Sequence, residues 1–407
     1  NFLNNKIFLL GDNLAMQSIS AQLHCSKAPR IAFYSHDTMG LGHIRRNMLL
    51  AQSVLQSYPD MEVLLLSGVR ESGAFKLPKG ADSVTLPTYF KTPQGQYVPR
   101  SLGKDTERLV NIRRQIIHAA LDAFEPDIVV IDNVPRGAMN ELDNVLPVLA
   151  NKGVRIVLGL RDIIDEPEAV RQQWSKLQNL EIIRLYFSDI WIYGDSRLFD
   201  FTKEYPFTQD IAEKLRYMGY LDQRHRREYH SDTLPNIKFP YALCAVGGGQ
   251  DGFQLAKAFM QASLPEGWQG LLITGALMPE EQRQQLYEMN LHRPEIQVLD
   301  FVTEPLRLMQ NAECILSIKS YNTTTEILSL NKRALIVPRI TPRKEQWIRA
   351  SRLAEMGVID CLHPDSLNAD ALTHWMREQK TLLNARDVLN FNGLDNVVRQ
   401  IQDMVVR

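Results

Sequence analysis

The sequence YALCAVGGGQDG at residues 241–252 is typical of a buried β-strand that runs into a glycine turn and then into an amphipathic helix. Similar apolar runs alternate with helical patterns along the chain. They lie at residues 31–34, 63–66, 127–131, 155–160 and 189–193, and then at 241–246, 270–274, 296–301, 314–318, 334–337 and 358–361. This alternation predicts an α/β fold with two doubly wound parallel sheets.

The length predicts two domains, because 407 residues exceed what one hydrophobic core usually supports. A polar segment at residues 221–238 separates the two groups of strands and is the expected interdomain connector and hinge. We predict an N-terminal extension (1–28), an N-terminal Rossmann-like domain (29–225), a C-terminal Rossmann-like domain (236–380) and C-terminal helices (381–407). The last helix is expected to pack back on the first domain.

Composition and charge narrow the classes of function. Apolar residues make up 44%, charged residues 23% and the formal net charge is −1, which favours a globular cytoplasmic protein that does not bind nucleic acid. The four cysteines, at positions 25, 244, 314 and 361, lie far apart, so neither a metal site nor a disulfide framework is expected. No apolar run is long enough to span a membrane, while peripheral membrane contact stays open.

The loop SHDTMGLGH at residues 35–43 follows a predicted strand and opens a helix. Such a turn points amide groups and the positive end of a helix dipole into the crevice above a parallel sheet. Its glycines do not complete a Gly-x-Gly-x-x-Gly pattern, which weakens the case for nicotinamide binding. His43 is predicted to be the general base or to orient an acceptor hydroxyl, with Asp37 and His36 competing for the role. A purely structural helix-capping role for His43 is the alternative.

Two further loops in the second half favour phosphate binding at the start of a helix. The first is the glycine turn after the strand at residues 241–246, and the second is the polar sequence SIKSYNTTTEIL at residues 317–328. Exposed amides on a glycine turn and at a helix N-terminus suit a pyrophosphate, with a carboxylate two turns in reaching ribose. A plain tight turn and an ordinary capped helix are the alternatives. The candidate residues are Gly247, Gly248, Gly249, Gln250, Ser320, Asn322, Thr323, Thr324 and Glu326.

Together these loops resemble glycosyltransferases of the GT-B fold, in particular the MurG-like branch, over most of the chain. The segments that carry the resemblance are the Gly-Leu-Gly-His sequence at residues 40–43, residues 247–250, and residues 320–326 followed by 335–338. The resemblance implies an inverting transfer from a nucleotide-sugar, with a UDP-sugar as substrate and no separate cofactor or metal. It further implies that Gly42 lies at the donor, Glu326 holds ribose, Phe301 and Val302 flank the base, and Glu345 and Gln346 reach the sugar.

The acceptor is expected to contact the first domain. Arg161 and Asp162 follow a strand end, and Tyr97 lies in a polar loop with aromatic residues that suits a sugar-binding lid. The acceptor itself is not defined by these residues: a small molecule, a glycan and a lipid all remain candidates. Two other functions stay open, namely a nucleotide-sugar 2-epimerase of the same fold and a non-catalytic nucleotide-sugar-binding scaffold.

Overall fold

The computed structural model describes residues 28–36, 41–70, 76–92, 96–226, 236–237, 239–302, 304–318 and 321–406. They form two parallel sheets and a small antiparallel hairpin. Nearly all of the predicted N-terminal extension, together with Asp37 and Ser320, lies outside the described residues.

The first sheet has seven parallel strands, five of which contain the apolar runs predicted for this half. The strands are β1 (Arg30–Ser35), β2 (Glu62–Ser67), β3 (Ala81–Thr85), β6 (Ile128–Asp132), β7 (Arg155–Arg161), β8 (Asp189–Tyr193) and β9 (Leu215–Tyr217), in the order β3-β2-β1-β6-β7-β8-β9. Successive β1 residues enter different apolar clusters: Ile31 and Phe33 pack on one face, and Ala32 and Tyr34 on the other. The sheet is therefore covered on both faces, as its apolar strands predict.

The helices of this half connect its strands and cover the sheet. They are α1 (Gly42–Ser57), α2 (Thr106–Phe124), α3 (Leu146–Asn151), α4 (Pro167–Lys176), α5 (Asn179–Tyr186), α6 (Phe201–Glu204) and α7 (Gln209–Ala212), with 3₁₀ turns at Ala138–Asn140 and Gln223–His225. The polar loop that contains Tyr97, predicted as a sugar-binding lid, includes an antiparallel hairpin of β4 (Tyr89–Lys91) and β5 (Tyr97–Pro99). Tyr89 is fully buried, its hydroxyl bonds Glu141 at 3.2 Å, and Tyr97 packs against its ring. The base of this hairpin therefore belongs to the core.

The second sheet contains all six strands predicted for the C-terminal half. They are β10 (Tyr241–Ala245), β11 (Gln269–Ile273), β12 (Ile296–Leu299), β13 (Cys314–Ser317), β14 (Ala334–Ile336) and β15 (Asp360–Cys361), all parallel, in the order β12-β11-β10-β13-β14-β15. The helices are α8 (Phe253–Gln261), α9 (Glu280–Asn290), α10 (Leu306–Asn311), α11 (Tyr321–Leu330), α12 (Glu345–Glu355), α13 (Ala369–Arg377), α14 (Ala385–Val388) and α15 (Gly393–Val406), with a 3₁₀ turn at Pro364–Ser366.

The topology locates a crevice in each domain. Strand order reverses between β1 and β6 in the first sheet and between β10 and β13 in the second. Open parallel sheets bind ligands at such switch points, outside the carboxyl ends of the strands. The loop that precedes α1 follows β1, the glycine turn follows β10, and α11 follows β13. The start of α1, the glycine turn and the start of α11 therefore each lie at a switch point.

The last helix, α15, crosses from the second domain back to the first. Its apolar face, including Leu394, Val397 and Ile401, is buried in a cluster that also contains residues of α1. The chain just before it is fixed by backbone hydrogen bonds, with the Tyr220 amide donating to the Asn390 carbonyl at 2.7 Å. The two domains are thus connected by two stretches of chain.

Candidate active site

His43 forms a close pair with an aspartate that the sequence did not single out. His43 is the second residue of α1, and Asp132 is the last residue of β6, the strand beside β1. His43 Nδ1 lies 2.6 Å from Asp132 Oδ2, and the side chains are 22% and 1% exposed. An ionised carboxylate only accepts hydrogen bonds, so Nδ1 carries a proton, and in the neutral ring Nε2 keeps its lone pair. The signal for Asp132 was its place at the end of an apolar strand at the switch point.

Arg46 keeps Asp132 ionised. Burial alone would raise the pKa of Asp132, but Arg46 and then His43 lower it well below the ordinary value. The Arg46 guanidinium donates from Nη2 to Asp132 Oδ2 at 2.7 Å, and its carbon lies 5.4 Å from the ring centre of Tyr321 and 5.7 Å from that of Tyr193. Tyr321 belongs to the C-terminal domain, so Arg46 connects the His43–Asp132 pair to the domain interface.

His36, the residue after β1, lies beside this pair in a neutral state. Its ring centre is 4.9 Å from that of His43, and the residue is only 7% exposed. Burial, and after it the neighbouring His43, lower the pKa of His36 from 6.5 to about 3. A neutral His36 cannot form an ion pair with Asp132, which leaves His43 and Arg46 as the partners of that carboxylate.

The pKa of His36 predicts loss of stability in mild acid. The folded protein keeps His36 neutral, whereas the unfolded chain binds a proton below the ordinary pKa of 6.5. This contribution is complete above pH 6.5 and is lost as the pH falls toward 3, and it amounts to about 2 kcal/mol between pH 7 and 5. Urea unfolding should show this loss in the wild type and not in His36→Gln. The exposed His292→Gln variant should keep the wild-type slope, and an unchanged slope in His36→Gln would contradict the prediction.

The N-termini of α1 and α11 face each other across the interdomain cleft. A Cβ atom added to Gly42 would lie 1.9 Å from Asn322 Nδ2, so a larger residue there would force the Asn322 side chain to move. Thr323 and Thr324, in the first turn of α11, are buried. Both helix starts contribute partial positive charge to one place, beside His43.

The glycine turn after β10 owes part of its composition to packing. Gly249 has φ 99°, and a Cβ there would lie 2.5 Å from the Thr274 carbonyl oxygen. The Leu277 amide donates to the Gly248 carbonyl at 2.7 Å, which ties the turn to the loop after β11. Gly248 and Gln250 are exposed, so the outer side of the turn remains accessible.

Glu326 lies in α11 and is already paired with an arginine. Its Oε1 is 2.9 Å from Arg226 Nη1, and Arg226 also binds Glu304 at 2.5 Å. Arg226 comes from the connector, whose residues 221–226 therefore dock on the second domain, while residues 227–235 lie outside the described part. Phe301 is 52% exposed just after β12, and Val302 is half-buried.

Arg349 forms ion pairs with Glu345 of its own helix and with Asp162 of the other domain. Arg349 of α12 donates from Nε to Asp162 Oδ1 at 2.9 Å and from Nη1 to Glu345 at 2.7 Å. The Tyr220 hydroxyl donates to Asp162 Oδ2 at 2.8 Å, so both Asp162 oxygens have partners. The side chains of Asp162 and Arg349 are 0% and 1% exposed. This geometry gives Asp162 a role in domain docking and does not favour the predicted contact with an acceptor.

Gln346 and Arg161 complete the set of predicted residues. Gln346 Oε1 accepts from the Arg339 amide at 3.1 Å, which orders the loop before α12. Arg161 ends β7, is half-buried, and has its Nε atom shielded from solvent without a hydrogen-bond partner in the structure. Among the described residues, no group of three or more His, Cys, Asp or Glu side chains is arranged to hold a metal ion. None of the helices described is both long and apolar enough to cross a bilayer.

Comparison of the whole architecture with solved structures identifies the fold as GT-B, the two-domain Rossmann-like arrangement of MurG and many glycosyltransferases. No protein-family model matches the chain, and a search among curated proteins also finds no match. The solved structures share little sequence with it, so the likeness concerns the fold.

Three of the similar solved structures show how widely this fold is shared. MurG of Acinetobacter baumannii is 14% identical and has a TM-score of 0.56, with 92% of this chain and 99% of that one covered. The glycosyltransferase VinC in complex with dTDP is 13% identical with a TM-score of 0.59, covering 92% and 98%. The UDP-GlcNAc 2-epimerase of Methanocaldococcus jannaschii is 12% identical with a TM-score of 0.58, covering 92% and 99%.

Proposed function

We propose that this chain is a glycosyltransferase that moves a sugar from a nucleotide-sugar, with a UDP-sugar as the expected donor, to an acceptor hydroxyl. The observation that carries the proposal is the His43–Asp132 pair at 2.6 Å, beside the facing starts of α1 and α11. A base oriented by a buried carboxylate and a site that attracts anions are the two components that such a transfer needs.

In the proposed reaction, His43 Nε2 takes the proton of the acceptor hydroxyl while the oxygen attacks the anomeric carbon. The bond from that carbon to the diphosphate oxygen breaks, and its electron pair leaves with the nucleoside diphosphate. Attack opposite the leaving group inverts the anomeric configuration. Asp132 stabilises the imidazolium that forms, because Nδ1–H already donates to its carboxylate.

The charge that grows on the departing diphosphate would be stabilised by amides at the start of α11 and on the open side of the glycine turn. Stabilisation of this kind needs no metal ion. Glu326 is the expected ribose ligand, and because Arg226 already holds one of its oxygens, the carboxylate is oriented before nucleotide binds. The exposed Phe301 ring is available to stack on a base.

Nucleotide binding is the first test. Calorimetric titration with UDP, dTDP, ADP and GDP should show tight binding of one diphosphate, and Glu326→Gln should weaken it by about 10–100-fold, since a hydrogen bond to a charged group contributes about 1.5–3 kcal/mol. Glu313→Gln, an exposed change in the same domain, is the matched control and should bind like the wild type. Failure of all four diphosphates to bind the wild type would refute the proposal.

A nucleotide-sugar 2-epimerase is the second candidate, because an epimerase shares the fold at a TM-score of 0.58. The two activities differ in whether an acceptor is needed. Incubation with UDP-GlcNAc alone, followed by analysis of the sugar, distinguishes them: a new epimer without acceptor supports the epimerase, and unchanged donor supports the transferase.

A further inference from the structure

The half-buried side chain of Arg161 has no direct counter-charge among the described residues. Among the residues that the structure describes, its side chain makes no hydrogen bond and no ion pair, and Nε is shielded from solvent. The pKa of Arg161 is lowered, first by burial. A partly buried charge without a partner costs free energy, and a ligand of opposite charge would offset that cost.

The nearby carboxylates already have other partners. Asp132 is bound by His43 and Arg46, and Glu345 is bound by Arg349. Both charges act on the pKa of Arg161 without being bonded to it. Neither Asp132 nor Glu345 therefore supplies the negative charge that would neutralise Arg161 by direct contact.

A second buried polar group lies at the same carboxyl end of the sheet and also has no hydrogen-bond partner among the described residues. His36 Nδ1 is buried without a hydrogen-bond partner in the structure, and the charge of Arg161 acts on the pKa of His36. The strands β1, β6 and β7 are neighbours, and their carboxyl ends carry His36, Asp132 and Arg161 in that order. The His43–Asp132 pair is thus flanked by the neutral imidazole of His36 on one side. On the other side lies the guanidinium of Arg161, which has no hydrogen-bond partner among the described residues.

We propose that Arg161 binds an anionic group, a phosphate or a carboxylate, on the acceptor, with His36 as a neutral hydrogen-bonding partner. The proposal rests on the transferase function and narrows the acceptor to an acidic alcohol. Arg161 comes from the domain that supplies the base, whereas the amides proposed for the donor diphosphate come from the other domain. An anion fixed on Arg161 would hold the acceptor hydroxyl near His43.

The test uses the full chain as wild type, Arg161→Gln and Arg155→Gln. Arg155 is exposed at the opposite end of the same strand, which makes it a matched control. With UDP saturating, inorganic phosphate at constant ionic strength should raise the melting temperature of the wild type and Arg155→Gln in a saturable way, and not that of Arg161→Gln. Without added anion, Arg161→Gln should melt at the same temperature as the wild type or higher. Its affinity for UDP should stay within about twofold.

Three results would overturn the proposal. A tenfold or larger loss of UDP affinity in Arg161→Gln would assign the guanidinium to the donor diphosphate, and a lower melting temperature without anion would make it structural. Equal stabilisation of all three proteins by phosphate would mean binding elsewhere. The phosphate titration is repeated without nucleotide, so that failure of UDP to bind bears on the choice of donor and leaves the test of Arg161 intact. Acetate in place of phosphate separates a carboxylated acceptor from a phosphorylated one.

Discussion

His43→Gln is expected to lower the rate of sugar transfer by about 10²–10⁴-fold, the usual contribution of a positioned general base. Glutamine can keep a hydrogen bond to Asp132, but it cannot take the proton of the acceptor hydroxyl. The rate is measured as release of nucleoside diphosphate with donor and acceptor present, and calorimetry should show that the variant still binds the diphosphate.

Two further variants sharpen this test. Asp132→Asn should also reduce the rate strongly, because an amide that donates to Nδ1 would leave His43 in the wrong tautomer. His292→Gln changes an exposed histidine of the second domain and should leave the rate unchanged. If His43→Gln retains the wild-type rate while it binds the diphosphate, another group removes the proton.

Arg349→Met is expected to lower the free energy of unfolding by about 3–5 kcal/mol, because it leaves Asp162 as a buried carboxylate without its cation. Urea unfolding followed by tryptophan fluorescence measures the change. The double variant with Asp162→Asn should recover part of the loss, since the unpaired charge is then removed as well. Lys344→Met breaks an exposed ion pair with Glu166 and should cost about 1 kcal/mol or less.

A destabilisation by Arg349→Met no larger than that of Lys344→Met would mean that water reaches Asp162. A loss in the double variant equal to the sum of the losses in Arg349→Met and Asp162→Asn would show that Arg349 and Asp162 act independently. Either result would remove the argument that this pair holds the two domains together.

The parallel sheets could be predicted because their strands are apolar on both faces. The strands that the sequence did not indicate lie at the edges or outside the sheets: β3 has the polar sequence ADSVT, and β9 has only three residues. Edge strands contact fewer neighbours, so their composition is constrained less. The hairpin of β4 and β5 was missed because its anchor, Tyr89, bonds to Glu141, far away in sequence.

The site loops were predictable because each follows a strand at a switch point, whereas the partners of their residues were not. Asp132 beside His43 follows from the pairing of β1 with β6, and Arg226 beside Glu326 depends on how the connector docks. The Arg349–Asp162 pair requires both domains in their mutual orientation. Contacts between residues far apart in the chain leave no local sequence pattern. Asp162 could therefore be predicted only as a residue that lines the cleft.

The return of α15 to the first domain has a consequence for any attempt to divide this protein. A cut after residue 226 would give a fragment that contains α1 but not the helix that covers it, with the apolar side of α1 exposed to water. The other fragment would end in an amphipathic helix without its binding surface. Each fragment would therefore expose an apolar surface that the whole chain covers, and any opening of the cleft has to bend the chain at both places where it crosses between the domains.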